Sequence, residues 1–344
     1  MTNILITGCA GFIGSHLTRH FLDKGNRVVG IDNLSRNGCT TNLDTLKKNK
    51  EFNFFKEDIR AFEGISKIFK DNGPFDMVIH EAGQVAVTTS VINPREDFEI
   101  NAFGTFNILE ATRLYSPKAF FQFASTNKVY GKMENMGVLE RNGRYEYANA
   151  KNGISEDHGL DFYSPYGCSK GSADQYVRDY SRIYGLRSVV LRQSCIYGTH
   201  QFGIEDQGWV AWFTIASILK KPITIYGDGK QIRDVLWIDD LVDVYEKLYI
   251  NADKVAGQIF NVGGGIENTL SLLELVEHLM ESEVMEKEPT KGDWRPGDQK
   301  VFVSDISKLK EAIDWTPKTN AKEGVKLIIE WTKNNKELIK SILS

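Results

Sequence analysis

The sequence predicts an α/β protein, a doubly wound parallel sheet with a smaller mixed lobe toward the C-terminus. Three observations predict it. Short apolar runs alternate with segments of helical period as far as Arg192, the first run enters a glycine-rich turn that leads at once into a helical segment, and the rhythm breaks after Arg192. The chain has 344 residues, room for two units at about 150 residues each.

In order, the expected elements are a strand at Ile4–Thr7, a helix at Phe12–Lys24, a strand at Arg27–Asp32, a polar helix at Asn42–Lys50, a strand at Phe52–Lys56 and a helix at Phe62–Asp71. The alternation continues with a strand at Met77–His80, a helix at Asp97–Tyr115, a strand at Phe120–Ala124, a helix at Pro165–Tyr184 and a strand at Ser188–Arg192. Strands separated by helices of this length need right-handed crossovers, which makes the sheet parallel. Beyond Arg192, Cys195–Asp206 reads as irregular, Gly208–Leu219 as an aromatic-rich helix, and Ile223–Gly229 as a strand ending in a turn. Val235–Ile250 reads as a strand and helix returning to the first domain, and Leu270–Met280 and Ala321–Asn334 as helices of a small cap. The division is therefore discontinuous: residues 1–192 with about 234–260 form the large domain, and about 193–233 with 261–344 the lobe. Gly131–Tyr163 shows no periodicity and is expected to be a long functional loop.

Apolar residues make up 41% of the chain and charged residues 26%, which excludes disorder and fibrous repeats. Lys plus Arg number 42 against 46 Asp plus Glu, and no basic run occurs, so nucleic acid is not an expected partner. No stretch approaches the length of a membrane span and no leader pattern is visible, which places the protein in the cytoplasm with no membrane partner. The four cysteines, Cys9, Cys39, Cys168 and Cys195, form no CxxC pair, so small buried thiols are expected and neither a disulfide framework nor a metal site.

Three motifs bear chemistry. Gly8-Cys9-Ala10-Gly11-Phe12-Ile13-Gly14 joins the first strand to a helix; its glycines permit a tight turn, close approach of backbone to a pyrophosphate, and close packing of helix on strand. Asp32 ends the next strand, where a carboxylate accepts hydrogen bonds from an adenosine ribose and repels a 2′-phosphate, favouring NAD over NADP. Tyr166 and Lys170 stand at i and i+4 on one helix face. A phenol near pKa 10 needs a neighbouring cation to act as a base, which Lys170 and a bound nicotinamide would supply. Ser125-Thr126-Asn127-Lys128-Val129-Tyr130-Gly131 follows a strand of the parallel sheet, where hydroxyls face the ligand crevice or close the strand end locally.

Together these elements resemble the extended short-chain dehydrogenase/reductase family, whose members act on nucleoside-diphosphate sugars, over essentially the whole chain. The resemblance implies a Rossmann-type NAD-binding domain and a sugar-nucleotide-binding lobe. It implies Tyr166 as catalytic base, Lys170 on the nicotinamide ribose lowering the tyrosine pKa, and Thr126 on the reacting sugar hydroxyl. It places NAD on Gly8, Gly11, Phe12, Ile13, Gly14, Asp32, Asn33, Ser35, Arg36, Asp58, Ile59, Ala82, Gln84 and Asn101, with Tyr166 and Lys170.

Dehydratases of this family carry an acidic pair directly after the threonine. Here the pair is Asn127-Lys128, which disfavours elimination of water. Gly83–Ser90, Ser125–Gly131 and Gly229–Leu236 are similar to the corresponding words in family members that invert carbon 2 of a CDP-linked hexose. The implied reaction is that epimerisation, by hydride removal to NAD and return to the opposite face, with epimerisation of a UDP-hexose at carbon 4 as the alternative. A cofactor-binding protein without chemistry would have no use for Tyr166, Lys170 and Thr126 together. Arg233 and Arg295 occupy positions where family members clamp the diphosphate, a role that suits the guanidinium fork; a plain ion pair with Asp234 or Asp298 is the other reading. Gln84, Thr88, Asn127, Gln201, Trp209 and Tyr226 are expected around the substrate, the aromatic residues fitting a lobe core equally well. A homodimer or homotetramer packed through Asp97–Tyr115 and Pro165–Tyr184 is the implied assembly.

Overall fold

The computed structural model describes residues 1–205, 207–295 and 298–343. Seven strands form the central sheet: β1 (Asn3–Thr7), β2 (Arg27–Asp32), β3 (Phe52–Lys56), β4 (Met77–His80), β5 (Phe120–Thr126), β6 (Ser188–Gln193) and β7 (Ile259–Val262). Their order is β3-β2-β1-β4-β5-β6-β7 and every neighbouring pair is parallel. Strand side chains alternate between faces, so the apolar runs split into two cores. Ile4, Ile6, Met77 and Ile79 pack with Leu17 and Phe21 of the helix Phe12–Asp23 and with Leu241 and Leu248 of the helix Ile238–Ile250. Leu5, Val78, Phe121 and Phe123 pack on the other face with Ile65, Ile108 and Val177 from the helices Phe62–Asn72, Gly104–Tyr115 and Ser164–Tyr184. The strand order reverses between β1 and β4, which opens a crevice at the carboxyl ends of the strands.

Beyond the central sheet the chain forms further small sheets. Ile232–Trp237 pairs in parallel with Cys195–Tyr197 and Val301–Phe302 and antiparallel with Thr269–Ser271, while Thr224–Tyr226 pairs in parallel with Thr290–Gly292. Ser271 opens the helix Leu272–Glu281 with a capping box closed by Glu274.

Several elements differ from the sequence expectation. The helix expected at Asn42–Lys50 spans Cys39–Leu46, because Gly38 at φ 83° makes a left-handed corner and starts it earlier. The helix expected at Asp97–Tyr115 is three pieces: Pro94–Phe98, a π turn at Glu99–Phe103, and Gly104–Tyr115. Gly131–Tyr163 is not structureless, since Val138–Arg141 and Arg144–Tyr147 form an antiparallel hairpin. Its two-residue turn is Asn142-Gly143, at φ 52° and 75°, the positive values that let a hairpin follow the strand twist. The irregular segment after Arg192 contains the strand Cys195–Tyr197, and the strand before the helix Ile238–Ile250 lies in a small separate sheet rather than the central one. All four cysteines are free thiols, but Cys168 is exposed and Cys195 only partly buried.

Candidate active site

The glycine turn comes first because it shapes the crevice. Gly8 takes φ 68° as β1 ends, and its N–H donates to Ile31 O at 2.7 Å. A Cβ on Gly14 would lie 2.0 Å from Gly8 O, and one on Gly8 2.7 Å from Ala82 N, so the helix Phe12–Asp23 sits against the turn only with hydrogen at these positions. No side chain caps that helix, which leaves its first N–H groups to a ligand anion. Phe12 and Ile13 pack partly buried into the core behind it.

Asp32 ends β2 at the rim. Its carboxylate accepts the N–H of Ala10 at 3.0 Å and of Leu34 at 2.8 Å, and burial raises its pKa against the pull of these backbone donors. Asn33 donates to Asp58 at 3.0 Å, and Arg60 holds Asp58 by two hydrogen bonds of 2.9 and 2.8 Å, keeping that carboxyl below its usual range. Ile59 is buried beneath Gly104, whereas Ser35 and Arg36 are exposed at the mouth. Ala82 donates to Thr7 Oγ1 at 3.2 Å. Asn101, in the π turn, exchanges hydrogen bonds with the Gln84 backbone at 2.9 and 3.0 Å. The inserted residue of a π turn re-aims side chains, and here it brings Asn101 onto both Gln84 and Ser169. The Gln84 amide donates to Asp97 and to Ala86 O, both at 2.8 Å, which ties its side chain to its own turn.

Tyr166 lies buried in the first turn of the helix Ser164–Tyr184, whose opening residue Ser164 holds φ 75°, strain of the kind that gathers at functional sites. Burial pushes its phenol up to about 12, and a hydrogen bond with the Thr126 hydroxyl offsets part of that rise. Lys170, one turn on, donates to Ala124 O and lies 4.4 Å over the Phe123 ring. Burial pushes Lys170 down to about 8, opposed by Glu81, Asp174 and Asp97. The hydrogen bond with Thr126 is the largest influence favouring the phenolate of Tyr166. Thr126 Oγ1 also accepts Lys128 N at 3.2 Å and starts the 3-10 turn Asn127–Tyr130.

Deeper groups hold this constellation still. Ser169 donates to Asp97 at 2.5 Å, and Ser125 donates to Asp174 at 2.7 Å, so Ser125 is a strut rather than a ligand group. Arg192 binds Asp174 through two hydrogen bonds of 3.0 and 3.1 Å with both side chains almost wholly buried. Removing one partner of such a pair costs about 3–5 kcal/mol, because the other charge remains buried and alone.

Across the crevice, Arg233 donates to Asp298 at 2.7 Å and to Ile232 O at 2.8 Å, the ion pair that the plainer reading anticipated. Arg295 lies 3.9 Å from the centroid of the Tyr226 ring and 4.0 Å from Glu205, and Tyr226 OH donates to Glu205 at 3.0 Å. Gln201 is buried, with its Nε2 3.4 Å from Ile196 O and its Oε1 lacking a partner among the described residues. Trp209 begins the helix Trp209–Ile218 and meets Phe213 edge-on. Asn127 is buried beside Thr126, and the buried Thr88 hydroxyl has no protein partner among the described residues, which suits a group waiting for a polar ligand. Asp206, which closes the segment expected to be irregular, lies outside the described residues, as do Pro296 and Gly297 beside Arg295. Sequence reasoning missed Glu81 and the bracing role of Asp97; the glutamate beside His80 at the end of a buried strand was the available signal for the first.

Residues 5–328 match the family model described as GDP-mannose 4,6 dehydratase. The chain is 46% identical to the CDP-paratose 2-epimerase of Salmonella typhi over 334 residues, 96% of this chain and 98% of that one. It is 32% identical to the UDP-glucuronate 4-epimerase of Thermodesulfobacterium geofontis, over 98% of each chain. Among solved structures, UDP-glucose 4-epimerase from Thermotoga maritima superposes with a TM-score of 0.82 at 31% identity, covering 97% of this chain and 99% of that chain. With a turn that admits only glycine beside a Tyr166–Thr126–Lys170 cluster at the ends of a parallel sheet, the chain belongs to the GDP-mannose 4,6-dehydratase family of extended short-chain dehydrogenases/reductases.

Proposed function

We propose that this protein is an NAD-dependent isomerase that inverts carbon 2 of a CDP-linked hexose. The observation behind it is the 46% identity to a CDP-paratose 2-epimerase over nearly the full length of both chains. The site supports the same class, since Thr126, Tyr166 and Lys170 stand together and no carboxylate follows Thr126 to drive elimination of water.

The crevice fits NAD. The glycine turn leaves room for a pyrophosphate, the uncapped helix Phe12–Asp23 offers N–H groups to it, and Asp32 stands where a ribose would lie, with Asn33, Asp58, Ile59, Ala82 and Asn101 along the same wall. NAD, when bound, supplies the acceptor and donor of hydride that lets one carbon be oxidised and reduced again within a turnover. Tyr166 takes the proton of the 2-hydroxyl at its phenolic oxygen and gives it back after the 2-keto sugar has turned its other face. Thr126 hydrogen-bonds both the phenol and that hydroxyl, and Lys170 adds positive charge at the helix face below. Arg233 and Arg295 hold the CDP diphosphate while the sugar turns, and Thr88, Asn127, Gln201, Trp209 and Tyr226 bound the space around it. The division into an NAD-holding domain and a sugar-nucleotide lobe belongs to the same reading.

The decisive experiment is proton NMR of CDP-paratose in deuterated water with the purified protein. A carbon-2 epimer without deuterium at that carbon is expected. An epimer carrying deuterium replaces hydride return with proton exchange, and turnover of UDP-hexoses alone moves the reaction to carbon 4, the activity borne by the relatives at about a third identity.

The protein works as a homodimer or homotetramer in this reading. Phe103 and Leu114, and Tyr176, Ile183 and Tyr184, leave large apolar surfaces open on the neighbouring helices Gly104–Tyr115 and Ser164–Tyr184 and the π turn before them. Such a patch marks an interface. No helix among the described residues is long and apolar enough to cross a membrane, and a nucleotide-sugar substrate suits the cytoplasm.

A further inference from the structure

Lys128 has no role in the reading above, yet the fold aims it at the site. β5 ends at Thr126, whose hydroxyl accepts Lys128 N at 3.2 Å, and the 3-10 turn is locked by the buried Val129 and Tyr130 and by Asp161 N donating to Val129 O at 3.1 Å. The Lys128 side chain leaves this turn partly buried and lines a small crevice with Val87, Tyr163 and Ser164 at the head of the helix that bears Tyr166. Gln299, the neighbour of Asp298, donates its Nε2 to Gly131 O at the end of the same turn, which brings the Arg233–Asp298 pair to this side of the site, and Lys128 feels the charges of Arg233, Asp298 and Cys195.

The charges on that side do not balance. Asp298 is engaged by Arg233 at 2.7 Å and by Gln299 N at 3.1 Å, and the Lys128 ammonium makes no hydrogen bond or ion pair among the described residues. Asp234 lies on the opposite face of its strand from Arg233 and is held by Ser194. Burial pushes the Cys195 thiol up, so it stays neutral, and burial pushes Lys128 down to about 8, leaving it largely protonated at neutral pH. Two cations thus share one carboxylate in a sheltered place, an arrangement that calls for an anion from outside.

We propose that Lys128 binds the phosphate that carries the sugar, completing with Arg233 a two-cation grip, and that this grip selects which sugar carbon reacts. The inference rests on the CDP-hexose reading. Carbon 2 is bonded to the anomeric carbon whose oxygen joins the phosphate. A phosphate held two residues from Thr126 therefore keeps carbon 2 beside Tyr166, whereas carbon 4 lies across the ring.

The test is calorimetric titration of the NAD-loaded wild type, Lys128→Met and Lys128→Arg with CDP and with CMP, which lacks the sugar-bearing phosphate. Lys128→Met is expected to weaken CDP by about tenfold or more while leaving CMP within about twofold, and Lys128→Arg to restore most of the CDP affinity. Its melting temperature should not drop, since the change removes an unpaired, sheltered charge. Unchanged CDP binding, or equal loss of CDP and CMP, overturns the contact. Wild type that prefers UDP refutes the CDP-hexose reading, and UDP against UMP then decides the contact by the same criteria. Absence of binding to any of these nucleotides refutes both.

Discussion

Tyr166 and Thr126 show how little a residue's type says without its surroundings. Burial pushes the Tyr166 phenol up to about 12, where it is a poor base, and the hydrogen bond with the Thr126 hydroxyl favours its ionised form. Tyr166→Phe should therefore lower kcat by about 10²–10⁴-fold while NAD still binds, measured as epimer formation beside a cofactor titration; near-normal turnover would remove Tyr166 from the chemistry. Glu81 makes a second test. Burial raises its carboxyl from 4.5 to about 7, with Tyr245 OH donating to it and Gln193 in turn donating to Tyr245 at 2.9 Å. Because the folded-state pKa is raised, the folded chain binds more protons than the unfolded one between these values. The stability from this group is full below 4.5 and is lost as pH rises through about 7. Glu81→Gln, which keeps an acceptor for Tyr245, should flatten the fall of melting temperature over that window and raise it near about pH 8; an unaltered pH slope would show that Glu81 does not titrate there. The motif residues Tyr166, Lys170, Thr126 and Asp32 were legible in the chain because each follows a strand or shares a helix face at fixed spacing. The bracing of Gln84 by Asp97 was not, because it joins a loop to the short helix Pro94–Phe98.

At the scale of elements, the glycine turn was readable from its own letters, since a steric requirement leaves a compositional trace. Gly14→Ala would set a Cβ 2.0 Å from Gly8 O and force helix and turn apart. Its NAD affinity should fall by about tenfold or more, read by titration of the purified variant, with a stability loss of about 1–3 kcal/mol. Retained affinity would mean that the turn does not hold the cofactor. The hairpin at 138–147 was readable too, through Asn142-Gly143 between Val138–Arg141 and Arg144–Tyr147, but the long polar segment around it hid the signal. The π turn at Glu99–Phe103 has no such trace. A single helix is the local optimum there, and the insertion follows from Asn101 meeting Gln84 and Ser169, contacts made by distant segments.

For the whole molecule, the open apolar faces decide what should be tested. Ile183 and Tyr184 stand two turns along the helix from Tyr176 on the same face, and Phe106 packs edge-on against Tyr176 to join the two helices into one surface. Ile183 is 66% exposed, so Ile183→Asp disturbs no core. Light scattering after size exclusion should give a dimer or tetramer for wild type and a monomer for this variant. A monomeric wild type would leave the patch for another partner.

The sequence by itself determined the parallel sheet, the glycine turn, Asp32 at the end of β2 and the Tyr166–Lys170 spacing, because each depends on local periodicity, local sterics or neighbouring positions on one element. Only the tertiary structure decided that Thr126 hydrogen-bonds the Tyr166 phenol, that Gln84 and Ser125 are tied to the acids Asp97 and Asp174, and that Lys128 comes under the charges of Arg233 and Asp298. Those outcomes depend on burial and on charges brought together from separate strands, helices and the lobe, and neither quantity is written in the spacing of residues along the chain.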